Sequence, residues 1–136
     1  MVITNALGQD FTITNFTTKN GLPSNLVYKC YQDDDGYLWV ATSDGLAKFD
    51  GQKFTTYNLK DGLRNAEILH VNAIGNLIIG FHLNGCFIIK NSIVFDPKDG
   101  PLSRINATEH YYNEIIDSSL IIWILYPHRG DLDVVA

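Results

Sequence analysis

The sequence has few cysteines, few charged residues and no long apolar run, and each shortage excludes a class of protein. The two cysteines, Cys30 and Cys86, are too few for a disulfide framework. We expect small apolar strand residues there, although the sequence alone leaves a single bridge open. The longest apolar run, "LIIWILY" at 120–126, is far shorter than the roughly 20 residues of a membrane helix. The N-terminus has no basic segment followed by an apolar one, so no signal peptide is expected in this chain.

The charge balance narrows the choice of partners. The net charge is −5 and the Lys and Arg residues are scattered, whereas a nucleic-acid or membrane surface needs a basic face. We therefore expect no nucleic-acid partner and no membrane contact by this segment. Hydrophobic residues make up 46% of the 136 residues, which is typical of a globular domain with one core.

The chain repeats itself about every 40 residues. "NGLPSN" at 20–25 returns as "DGLRNA" at 61–66, and "DGYLWVATSDGLAKF" at 35–49 returns as "IGNLIIGFHLNGCFI" at 74–88. Matching Trp39 with Ile78 requires one inserted residue in the second copy before Gly85, so that Thr42 corresponds to His82 or a near neighbour. A third, weaker copy starts at "DGPLSR", residues 99–104.

Within each copy the hydrophobic period is two, and Asp-Gly or Asn-Gly pairs stand between the apolar runs. This pattern predicts short antiparallel strands joined by tight turns, in an all-β fold. A unit of this size with four strands is typical of one β-propeller blade. The predicted strands are 26–32, 37–42, 45–50 and 53–58, then 67–73, 76–82, 86–90 and 92–96, then 109–116, 119–126 and 131–135.

These units define a single propeller segment of about three blades. Residues 1–19 would supply strand d of a shared blade, with the strand itself at 10–17. Blade 1 would span 20–60, blade 2 would span 61–98, and 99–136 would form an incomplete third blade. Three blades are too few for a closed ring, so we expect two or more chains to complete one, with 10–17 pairing near 131–135 of another chain.

The stretch at 20–63 resembles the two-component regulator propeller repeat, whose pattern is GLPSN, Gln-Asp at a strand end, Gly-x-Leu-Trp-x-x-Thr and Asp-Gly-Leu. The resemblance implies a sensor domain of a bacterial two-component or hybrid histidine kinase receptor, typically periplasmic. It implies detection of a small molecule or oligosaccharide, alone or with the remaining blades of a larger receptor. No phosphoacceptor helix or ATP lid is present in the sequence, so this segment is expected to be non-enzymatic.

The candidate residues also have ordinary structural roles. The acids of "DDDG" at 33–36 could bind a metal, but Tyr31 and Thr42 stand where a calcium loop needs ligands, so a turn is favoured. Trp39 could stack on a ligand, but core packing is favoured. No metal site, cofactor or catalytic residue is predicted. In a propeller the loop before strand a and the b–c turn share one end, which makes the ligand-binding candidates Tyr28, Arg64, His82 and Asn84.

Two other functions stay open at this point. A protein–protein scaffold would present a flat polar end face without a pocket. A propeller-based lyase or glycosidase would need acids, His or Arg clustered at the mouth of the channel.

Overall fold

A computed structural model of the chain describes residues 13–99, 113–116, 122–128 and 131–135. These residues form eleven strands in three antiparallel sheets, with two short 3₁₀ turns as the helical content. The strands are β1 Val27–Gln32, β2 Leu38–Thr42, β3 Gly45–Phe49, β4 Phe54–Tyr57, β5 Ile68–Ile74, β6 Leu77–His82, β7 Gly85–Lys90, β8 Ile93–Phe95, β9 Asn113–Ile116, β10 Ile122–His128 and β11 Asp131–Val135.

The first two sheets have four strands each, in the orders β1-β2-β3-β4 and β5-β6-β7-β8. Each strand pairs with the next along the chain, as the tight turns predict. The third sheet has the order β11-β10-β9. The predicted all-β fold with blades of four antiparallel strands is thereby confirmed, and we call the first two sheets blade 1 and blade 2. Closure of a ring stays a prediction.

The two blades begin with the same turn. A 3₁₀ turn at Thr18–Asn20 precedes blade 1 and another at Leu59–Asp61 precedes blade 2. In both, the residue before the turn accepts a backbone N–H with its side chain, and a glycine with positive φ ends the turn. This explains why "NGL" and "DGL" recur in the sequence: the cap and the left-handed glycine are needed to direct the chain into strand a.

One hydrophobic core cluster lies between the blades. Trp39, Leu46 and Tyr57 of blade 1 pack against Ile78 and Phe87 of blade 2, and all of these side chains are buried. The Trp39 ring stacks on Tyr57 with centroids 5.8 Å apart. Core packing of Trp39 is therefore confirmed.

The strand registers correct one detail of the repeat alignment. Thr42 pairs with Gly45 and with Val27, while His82 pairs with Gly85 and with Ile68. His82 therefore occupies the position of Thr42, and counting back along strand b places Ile79, not Ile78, at the position of Trp39. The predicted equivalence of Trp39 and Ile78 is wrong by one residue.

The cause of that error is the turn between strands a and b. This turn contains five residues in blade 1, 33–37, but only Gly75 and Asn76 in blade 2. Matching Gly36 with Gly75 therefore shifts strand b by one position, which changes the face on which each side chain lies. As a result, Trp39 and Ile78 enter the same inter-blade core from opposite sides.

The predicted strand at 10–17 is not seen in its described part. Residues 13–17 form no strand, and residues 10–12 lie outside the described residues. The prediction pairs this segment with 131–135 of another chain, and that pairing stays a prediction; within this chain β3 already pairs with β2 and β4. Phe16 instead packs on Phe49 and Phe54, with ring centroids 4.9 and 5.5 Å away.

Candidate functional site

The aspartates of "DDDG" form a turn, as favoured from the sequence. Asp33 accepts the backbone N–H of Tyr37 at 2.8 Å and the indole Nε1–H of Trp39 at 2.7 Å. Its carboxylate therefore closes the a–b turn and satisfies the one polar group of a buried tryptophan. Within the described ranges, no group of three His, Cys, Asp or Glu side chains is arranged to hold a metal. Both cysteines are free thiols, Cys86 buried on β7 and Cys30 exposed on β1, so no disulfide joins them.

Three of the four candidate residues come together at one end of blade 2, and Asp96 joins them. The Nε of Arg64 donates to Asp96 Oδ1 at 2.8 Å, and its Nη2 donates to the carbonyl of Asn84 at 2.5 Å. The backbone N–H of Arg64 also donates to Asp96, at 2.7 Å. His82 Nε2 lies 2.7 Å from Asp96 Oδ2. We call Arg64, His82, Asn84 and Asp96 the blade 2 cluster.

The proton on His82 can be assigned from its partners. The backbone N–H of Asn84 donates to His82 Nδ1 at 3.0 Å, so this nitrogen is an acceptor and carries no proton. Nε2 therefore carries the proton and donates it to Asp96. With both ring nitrogens used and no exposed surface, His82 supports the cluster from inside, and a ligand at this end would meet Arg64 and Asn84 instead.

Asp96 is the electrostatic centre of the cluster. Its side chain has no solvent exposure, whereas that of Arg64 is 20% exposed. Burial by itself raises the pKa of Asp96, but hydrogen bonds from His82 and Arg64 outweigh burial and hold the pKa below its usual value. The carboxylate therefore stays ionised, and the buried charge is matched by the guanidinium.

Tyr28 lies elsewhere. It is on β1, partly exposed, and its hydroxyl donates to Glu67, which precedes β5. The hydrogen bond to Glu67 is the main cause that raises the pKa of Tyr28, followed by burial and the charge of Glu67. Tyr28 thus joins the first strands of the two blades and is not part of the blade 2 cluster.

Asp96 is the residue that sequence reasoning missed. It directly follows β8, the strand d of blade 2, which carries no motif, and it lies 14 positions after His82. A signal was nevertheless present: a histidine replaces threonine at a buried strand position, and a buried histidine needs a partner for each ring nitrogen.

The blades and their turns define the class of protein, a repeat protein built of β-propeller blades. Residues 21–44, which span the connection into blade 1 through its first hairpin, match the two component regulator propeller family. The resemblance seen in the sequence is thus confirmed for this part of the chain.

One curated relative is "Histidine kinase P4" of Formosa agariphila (strain DSM 15362 / KCTC 12365 / LMG 23005 / KMM 3901 / M-2Alg 35-1). It is 44% identical over 52 residues, which are 38% of this chain and 4% of that kinase. The match thus covers a small part of the relative's length. No solved structure matches the chain. Within the described residues, no helix has the length and hydrophobicity needed to cross a membrane.

Proposed function

We propose that this chain is a non-enzymatic recognition segment of a two-component signalling receptor, located in the periplasm. The family match at 21–44 and the name of the relative both refer to such systems. The observation that carries the proposal is the blade 2 cluster. Its four members lie at the end where propeller loops converge, and Arg64 and Asn84 keep exposed surface there.

The chemistry of the cluster fits recognition better than catalysis. His82 is buried and both of its ring nitrogens are engaged, so it cannot transfer a proton to a substrate without breaking the cluster. Arg64 uses two of its N–H groups internally and has others that can donate at the surface. A rigid donor of this kind suits hydroxyl or carboxylate groups, such as those of an oligosaccharide.

Binding can be tested with the whole chain and a panel of oligosaccharides, comprising cellulose, xylan and alginate fragments. We expect at least one to raise the melting temperature and to shift NMR signals of the loops around Arg64 and Asn84. Asn84→Ala should abolish the response, while Asp44→Ala, at the same position in blade 1, should keep it. A panel without any response, or equal losses in both variants, would contradict the proposal.

A protein-binding scaffold is the second candidate, and one observation favours it. Leu26, Leu59 and Leu83 lie at the same end as the cluster and are 55%, 58% and 39% exposed. Exposed leucines in a group suit a protein partner more than a sugar. In either case we propose that further blades complete the ring, from other copies or from a longer receptor. Sedimentation of this chain as a stable monomer at micromolar concentration would rule out completion by copies.

A further inference from the structure

Blade 1 has an open groove where blade 2 has its cluster. The groove has a volume of about 460 Å³ and is lined by Pro23, Asp44, Thr56, Asn58, Leu59 and Lys60. It lies between the b–c turn of blade 1 and the 3₁₀ turn that leads to blade 2.

The repeat supplies the equivalent residues in blade 2. Pro23 and Arg64 hold the same place after the glycine of "GLP" and "GLR". Asp44 and Asn84 each precede the first glycine of strand c. The registers of the c–d hairpins, with Lys48 opposite Thr55 and Ile88 opposite Phe95, then place Thr56 where Asp96 stands.

Those equivalences show what the groove is shaped to accept. In blade 2 the space is filled by the guanidinium of Arg64, which bonds to the carbonyl of Asn84 at 2.5 Å and to Asp96 at 2.8 Å. In blade 1 the residue at that place is Pro23, which has no long side chain and leaves the space open. The guanidinium of Arg64 in blade 2 therefore indicates the kind of group that would fill the groove of blade 1.

We propose that the groove of blade 1 binds an arginine side chain of another polypeptide. The guanidinium would lie between the b–c turn at Asp44 and the hydroxyl of Thr56, as that of Arg64 lies between Asn84 and Asp96. Leu59, 58% exposed, offers apolar surface to the methylene groups of the arginine. Asp44 supplies a carboxylate of opposite charge.

Lys60, at the rim of the groove, favours a guanidinium over an ammonium group as the ligand. Its positive charge opposes any ligand held by charge alone, such as a lysine ammonium. A planar guanidinium can offset this repulsion because it makes several directed hydrogen bonds at once. The polypeptide source follows from blade 2, where the arginine is presented by a loop whose Leu63 is buried beside it. This inference does not depend on the proposed signalling role.

The test uses a peptide that copies the internal ligand. Acetyl-Leu-Arg-Asn-Ala-amide, the sequence of residues 63–66, is titrated into the whole chain and followed by NMR shifts of Asp44 and Thr56. We expect it to bind at least about tenfold more tightly than the same peptide with lysine or citrulline. Citrulline has no charge, and a lysine ammonium cannot make several directed hydrogen bonds in one plane. Equal affinities for the three peptides would overturn the proposal. Agmatine binding as tightly as the arginine peptide would overturn the polypeptide source.

Variants then locate the site. Asp44→Asn should weaken binding of the arginine peptide, whereas Asp35→Asn, which makes the same charge change on the exposed a–b turn, should not. The double variant Pro23→Arg with Thr56→Asp should fill the groove from within and abolish binding while the chain stays folded. Equal losses in Asp44→Asn and Asp35→Asn, or full binding by the double variant, would show that the peptide binds elsewhere.

Discussion

The two blades stabilise the ends that carry their b–c turns with different kinds of side chain. Blade 1 uses small neutral groups: the hydroxyl of Thr42 donates to the carbonyl of Gly45 at 2.8 Å, and Ser43 donates to Ser24 at 2.7 Å. Blade 2 replaces these groups with charge, as His82 and Arg64 share Asp96. The backbone design is unchanged, since the side chain that ends strand b accepts an N–H from the b–c turn in both blades.

The contrast shows that departures from a repeat are informative when they meet in space. Arg64, His82 and Asp96 are far apart in sequence, and each alone is an unremarkable substitution. Together they form one hydrogen-bonded set around the buried carboxylate of Asp96, which accepts from Arg64 and contacts His82. The departures of blade 2 from blade 1 at these three positions are gathered at the candidate site.

A second contrast lies in the packing of strands b and c. Val40 stands opposite Ala47 in blade 1, and Gly80 stands opposite Phe87 in blade 2. The larger residue is on strand b in blade 1 and on strand c in blade 2. Position 80 has no room for a side chain, because a Cβ at Gly80 would overlap the ring of Phe87. Each blade thus keeps nearly the same volume with different residues.

The largest expected effect comes from removing the carboxylate of blade 2. Asp96→Ala leaves His82 and the guanidinium of Arg64 without their shared acceptor, so we expect the free energy of unfolding to fall by about 3 kcal/mol. Thr56→Ala, its counterpart in blade 1, should cost less than about 1 kcal/mol. Urea unfolding of both variants measures the difference, and similar losses in the two blades would contradict the account.

The second largest effect tests whether the large and small residues of strands b and c compensate each other in volume. Gly80→Val should destabilise the chain by about 2 kcal/mol, since the new side chain has to displace Phe87. Adding Phe87→Ala recreates the Val–Ala pair of blade 1 and should recover part of the loss. Thermal unfolding of the single and double variants measures this, and a double variant less stable than the sum of its two single changes would exclude volume exchange.

A smaller effect is expected at the a–b turn, which blade 1, unlike blade 2, closes through an indole. Trp39→Phe keeps an aromatic ring in the core but removes the donor to Asp33, so we expect a loss of about 1 kcal/mol. Adding Asp33→Asn should cost little more, because the bond is already absent. Chemical unfolding of the three variants checks this coupling. Fully additive losses would mean that the hydrogen bond adds nothing.

The smallest effect is a pH dependence at the contact between strands a of the two blades. Lys29 Nζ lies 3.1 Å from His70 Nε2, and burial, followed by the charge of Lys29, lowers the pKa of His70. A depressed histidine pKa means that folding favours the neutral form. Stability is therefore full above the ordinary pKa of about 6.5 and declines as the pH falls below it. The contribution of Asp96, whose pKa is lowered from 3.8, is lost only in more acidic solution.

Melting temperatures between pH 7.5 and 5 separate these two groups, since the lowered pKa of His70 is felt just below 6.5 and that of Asp96 only below 3.8. The chain should lose stability there, and His70→Asn should flatten the curve. An unchanged slope in His70→Asn would show that another group is responsible.

Most of the fold could be predicted because its signals are local. Strand b of blade 1 is predicted at 37–42 and spans Leu38–Thr42, since its apolar run ends at turn residues on both sides. The alignment error at Ile78 arose because turn lengths differ between copies, and only the pairing of strands settles which residues share a face.

The candidate site could be predicted only in part. The loops that a propeller brings to one end predict that Arg64, His82 and Asn84 lie close together, which is a property of topology. Asp96 was missed because its role depends on a through-space contact with His82, and Tyr28 turned out to serve the junction with Glu67. Topology predicts which loops meet, whereas the partner of a buried charge is recognised only from the distances between side chains in the folded chain.

A double-mutant cycle between His82 and Asp96 tests the central claim most directly. His82→Thr and Asp96→Thr each restore the residue of blade 1 at that position, singly and together, and urea unfolding gives the four free energies. If the two residues form one unit, the double variant should lose less than the sum of the singles, with a coupling of about 1.5–3 kcal/mol. Additive losses would contradict the account and would reduce the blade 2 cluster to independent substitutions.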